Sequence, residues 1–159
     1  MFKYVLLTVC LVNFQVHADW LDKITEVILL QNKWDHSVIK KIVQEEIEDN
    51  IKHIAKVEVK LEDQEKTLGF LSKSALKTEL YAANAQLKLH KRILDKLKII
   101  KSDNKKQQQI MDTLKEIQAN TLEIKELENG EGVLNRIKLE AKKAVLLVKR
   151  RHAKSLFEL

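Results

Sequence analysis

The residue pattern predicts an all-α fold: an up-down bundle of four long helices with a short N-terminal helix. Three observations carry that prediction. Proline is absent and glycine occurs only at Gly69, Gly130 and Gly132, so the residues that break helices are nearly missing. Apolar residues recur three and four positions apart through almost the whole chain, the spacing that lays one apolar stripe along a 3.6-residue helix. The interruptions are short and leave four segments of roughly 24–30 residues, each ~36–45 Å long at 1.5 Å per residue. Near-equal helices joined by short connections become antiparallel neighbours.

The first eighteen residues read as a separate segment. Lys3 supplies a positive start, Val5 to Val12 form a short apolar run, and Val16-His17-Ala18 places small residues where a signal peptidase needs them. The run is far below the ~20 residues that span a bilayer. Residues 1–18 are therefore expected to be a signal peptide cleaved after Ala18, leaving residues 19–159 as one secreted, extracellular helical domain. The single cysteine, Cys10, would leave with the signal, so the mature fold would rest on a packed core without disulfides.

The first helix is expected from Asp19, an N-cap with Asp22 three residues on, with Trp20, Ile24, Val27, Ile28 and Trp34 on its stripe. The second follows Ser37 and uses Ile39, Val43, Ile47, Ile51, Ile54, Val57, Leu61 and Leu68. The third uses Leu76, Leu80, Ala83, Leu87, His90, Leu94 and Leu97. The fourth uses Ile110, Leu114, Ile117, Thr121, Ile124 and Leu127. The fifth uses Leu134, Ile137, Ala141, Ala144, Val145 and Val148.

Helix breaks follow from phase and turn chemistry. Carried across Ser102-Asp103-Asn104 at 100° per residue, the stripe jumps by roughly 150°, and between Trp34 and Ser37 by roughly 110°. Asn129-Gly130-Glu131-Gly132 combines residues that tolerate the left-handed conformation ending a helix. Around Gly69 the jump is only roughly 60°. The cluster of Gly69, Ser72 and Ser74 favours a turn there, and one long helix over 38–101 is the alternative.

Composition bounds the function. The chain of 159 residues has 29 Lys and Arg against 23 Asp and Glu, a formal charge of +6, with 45% hydrophobic residues. That is too apolar for a disordered coil, and the mild basic excess favours solubility and anionic partners only weakly. No nucleophile elbow, phosphate-cradling glycine loop or His-Glu-x-x-His motif occurs. An enzyme is not expected, and neither is a cofactor. Glu46, Asp49 and His53 share one flank of the second helix, a spacing that suits a zinc ligand set but is common on solvated charged helices. His90, inside the third stripe, reads as a core histidine hydrogen-bonded to a neighbouring helix.

The fifth helix alone has two apolar faces. Opposite the stripe named above lie Leu139, Leu146 and Phe157, interleaved with Lys142, Lys143, Lys149, Arg150, Arg151 and Lys154. An apolar outer face rimmed by cations suits an acidic extracellular protein or an anionic surface, lipid included. These nine residues are the expected partner-binding set. Nucleic acid is not an expected partner, because the chain is read as exported and carries no nucleic-acid-binding motif.

In length, helix number and lack of cysteine, the mature chain resembles the five-helix amphipathic bundles of insect apolipophorin III, although no motif can be matched. That resemblance implies a carrier of lipid or of a small apolar ligand. The Lys- and Ile-heavy composition suits an A/T-rich genome, such as an insect's, in which small helical proteins of this kind are often salivary, venom or seminal factors. The preferred expectation is a helical protein that binds a macromolecule, with the carrier and a structural oligomer as alternatives.

Overall fold

The computed structural model describes residues 20–63 and 69–158. The expected signal peptide and the expected cap at Asp19 lie outside them. Five helices are formed: α1 Trp20–Gln31, α2 His36–Asp63, α3 Phe70–Ile100, α4 Asn104–Glu128 and α5 Val133–Glu158. Four long helices in up-down order, preceded by a short one, match the predicted architecture, and no strand occurs among the described residues. Residues 38–101 form two helices, not one.

Local chemistry explains the breaks before α2, α4 and α5. After Gln31, Asn32 adopts a left-handed φ of 48°, which asparagine tolerates better than most residues. Asp35 then caps α2, its Oδ1 accepting from the backbone N–H of Ser37 and Val38 and from the Ser37 hydroxyl, so the start falls two residues before the expected one. Asp103 caps α4 by accepting from the Lys106 N–H at 3.0 Å. Gln107 reaches back and donates to the Ile100 and Lys101 carbonyls, which end α3 without an intrahelical donor. In the last turn Gly132 takes φ +102°, and the Asn135 amide donates to the Leu127 and Gly130 carbonyls.

Helices α2 and α3 form one antiparallel hairpin, α4 and α5 a second, and α1 bridges α2 and α4. The shared core lies at one end. It takes Leu21, Ile24 and Ile28 from α1, Ile39 and Val43 from the start of α2, and Ile93, Leu97 and Ile100 from the end of α3. To these are added Ile110, Leu114 and Ile117 from the start of α4 and Ala153, Leu156 and Phe157 from the end of α5. Outside this cluster the buried apolar side chains among the described residues are Val57, Ala83 and Ile124. Each hairpin therefore holds its far half by pairwise packing alone.

An aromatic group closes the base of the core. Phe157 meets the edge of Trp20 at 5.3 Å and stacks on Trp34 at 6.2 Å between ring centroids. Trp20 also meets the His90 ring edge-on at 6.0 Å. One amide hydrogen of Asn50 goes to the Glu46 carbonyl and the other to His90 Nδ1, both at 2.9 Å. With two donor hydrogens on that nitrogen, Nδ1 must accept, which leaves the ring proton on Nε2. His90 is thus the core histidine that its place in the stripe predicts, tying α3 to α2.

Candidate interaction surface

The stripes of α1 to α4 face inward largely as predicted, except that Ile51 is 49% exposed and Leu68 lies outside the described residues, but α5 is turned over. Phe157 is 0% exposed and Leu146 packs against the core, whereas Leu134, Ile137 and Val148, expected inside, are 76%, 61% and 64% exposed. A straight helix has one rotational setting. Once Phe157 enters the Trp20–Trp34 group, the residues in phase with it (Ala153, Leu146, Leu139) must turn inward and the opposite stripe must turn outward.

Ion pairs hold the same setting. Lys149 Nζ lies 2.9 Å from Glu116, and Lys142, seven residues earlier on α5, pairs with Glu123, seven residues later on α4, as antiparallel packing requires. Lys143 reaches Glu128 at 3.4 Å. Arg150 spans to α1, where its two guanidinium nitrogens donate to the two carboxylate oxygens of Asp22 at 2.6 and 2.9 Å, the bidentate geometry that suits arginine.

The expected partner-binding set is thereby dispersed. Lys142, Lys143, Lys149 and Arg150 are engaged by carboxylates of this chain. Leu139 and Lys154 are half-buried, Leu146 packs on the core and Phe157 is inside it, while Arg151 alone of the nine is both exposed and on the outward stripe. Their placement on an outer face is corrected for all but Arg151: Lys142, Lys143, Lys149 and Arg150 line the seams with α4 and α1 through their ion pairs.

The three side chains considered for zinc also part company. Glu46 pairs with Lys23 at 2.5 Å, Asp49 with Lys52 at 3.5 Å, and His53 Nε2 meets Glu79 at 3.1 Å. No group of three or more His, Cys, Asp or Glu suited to a metal occurs among the described residues. Two buried polar atoms, Trp34 Nε1 and His36 Nδ1, have no hydrogen-bond partner. Burial, reinforced by Lys101 and Lys40, holds the His36 pKa below its ordinary value.

The fold leaves the outward stripe of α5 open. Leu134, Ile137, Ala141, Ala144 and Val148 are all exposed, and Val133, Val145 and Leu147 widen the patch. It continues into an open groove of about 470 Å³ between α4 and α5. The groove has Leu127, Ala141 and Val145 as its apolar lining and Glu123, Glu126, Lys138 and Lys142 at its edges. Contiguous exposed apolar surface of this kind marks interaction sites more often than scattered residues do. Both apolar faces of α5 are legible in the sequence, but the face expected to point outward is the packed one. The signal that could have settled the choice was Phe157, the largest apolar side chain of that helix. Comparison with known proteins finds no matching family model, no matching curated protein and no matching solved structure.

Proposed function

We propose that this chain is a secreted, non-enzymatic helical protein that acts by binding a macromolecular partner through the outward stripe of α5. The observation that carries the proposal is the stripe itself: five in-phase apolar positions from Leu134 to Val148, exposed on a helix whose opposite face is packed and ion-paired. Burying such a stripe on a partner removes apolar area worth ~25 cal/mol per Å² from water. Export is supported by the basic start, short apolar run and small-residue site of residues 1–18. N-terminal sequencing of protein recovered from the medium should begin at Asp19, and a different start or retention in cells would overturn the export reading.

The binding reading is tested by capture from extracellular fluids on immobilised wild type and on the Ile137→Glu/Val148→Glu variant. Retention by wild type and loss by the variant supports it, and equal retention refutes it. A second reading, a carrier of lipid or of a small apolar ligand, is favoured by the apolar groove beside Leu127, Ala141 and Val145. That reading requires co-sedimentation with phospholipid vesicles, and its absence with both neutral and anionic vesicles would remove it.

A further inference from the structure

We infer that the outward stripe of α5 is a self-association seam whose partner is a second copy of this chain, packed antiparallel about a two-fold axis near Ala141. The inference rests on the stripe being the interaction surface, and it names the occupant.

The spacing is the first argument. Leu134, Ile137, Ala141, Ala144 and Val148 alternate steps of three and four, a mean of 3.5 residues, and Arg151 continues the series. That period keeps a seam facing another helix as the two wind around each other. Shape is the second argument. The stripe is large at its start (Leu134, Ile137), small in the middle (Ala141, Ala144) and large again at its end (Val148). A flat surface cannot fill that waist. A helix with the same profile can, because the two alanine segments let the backbones approach while the bulky ends pack past one another. A large–small–large profile is nearly unchanged by end-to-end reversal, which is what an isologous two-fold contact requires.

Charge selects the orientation. Parallel packing would set Arg151 against Arg151 of the copy across the seam. Antiparallel packing instead brings Arg151 to the turn between α4 and α5, where Glu131 is exposed. The footprint from Val133 to Val148 is about 22 Å by 10 Å. On corrugated helix surfaces that corresponds to a total buried area on the order of 1,000 Å², the lower bound for a specific interface. A reversible, concentration-dependent dimer follows.

Sedimentation of the secreted wild-type protein, from micromolar to near-millimolar concentration, should pass from monomer to dimer. Ile137→Glu and Val148→Glu should each weaken dimerisation by about tenfold or more with an unchanged helical circular dichroism spectrum, since both positions are exposed. Arg151→Glu should weaken it, and adding Glu131→Arg should restore it, which a merely solvated pair would not do. In a Cys10→Ser background, oxidation should link Ala141→Cys into a dimer and leave Leu134→Cys unlinked, because only a residue beside the two-fold axis meets its own copy; linkage at both sites would establish parallel packing and overturn the inference. Wild type that stays monomeric over the whole range overturns it too. If Ile137→Glu/Val148→Glu nevertheless abolishes capture from extracellular fluid, the stripe remains the interaction surface with a different occupant. If it does not, both readings fall.

Discussion

Replacing Phe157 with Ala decides which face of α5 is the core face. The side chain is 0% exposed, contacts Trp20 edge-on at 5.3 Å and stacks on Trp34 at 6.2 Å. Truncation of a buried phenylalanine costs ~3–5 kcal/mol through lost transfer free energy and the cavity left behind. Two aromatic contacts place this site well inside that range, and its position near the end of α5 lets the last turn relax, so ~3–4 kcal/mol is expected. Against a total stability of ~5–15 kcal/mol for a domain, that is a large loss. Val148→Ala, at a position 64% exposed, should change stability by less than about 0.5 kcal/mol. Urea denaturation followed by tryptophan fluorescence reads both variants, since Trp20 and Trp34 flank the site. A stable Phe157→Ala protein together with a destabilised Val148→Ala protein would refute the rotational setting of α5 and everything built on its outward stripe.

Three further outcomes are expected. Asn50→Ala removes the donor to His90 Nδ1 inside the α2–α3 contact and should cost ~1–3 kcal/mol; a change below about 0.5 kcal/mol would show that the bond contributes nothing net. Asp22→Ala breaks the bidentate pair with Arg150, but half-exposure of the carboxylate limits the loss to roughly 0.2–1 kcal/mol, read as a small shift in the urea midpoint that shrinks at high salt. His36 has its pKa lowered chiefly by burial and then by Lys101 and Lys40, so the unfolded chain binds the extra proton more readily. Its contribution is present above the unfolded pKa near 6.5 and is lost as pH falls through the folded value. His36→Gln should accordingly flatten part of the decline in stability on acidification, and a pH profile with unchanged slope would exclude that residue as a source.

Much of the architecture is legible because it is encoded locally. Asp103 and the Asn129–Gly132 segment end or start helices through hydrogen bonds and left-handed backbone that span only a few residues. The apolar positions of α1, α3 and α4 form one dominant stripe each, so burial has a single way to turn each helix. His90 falls in phase with its stripe and is buried there. Gly69 was a weaker signal, since the phase shift across it is small. The separation of α2 from α3 comes from the antiparallel packing of one against the other.

For α5 the sequence by itself determined that a helix would form and that it would carry apolar residues on two sides. Which side meets the rest of the molecule depends on residues of other helices, those on α1 and in the loop after it more than a hundred positions away. Trp20 and Trp34 receive Phe157, Asp22 receives Arg150, and Glu116 and Glu123 on α4 receive Lys149 and Lys142. Counting apolar residues favours the Leu134–Val148 stripe, because a count weighs each side chain alone. The packed structure weighs them jointly: one large aromatic side chain with two aromatic neighbours, and four cations with carboxylates in register, outweigh a stripe of aliphatic side chains that has no neighbouring helix to meet. That joint preference exists only once the five helices are assembled.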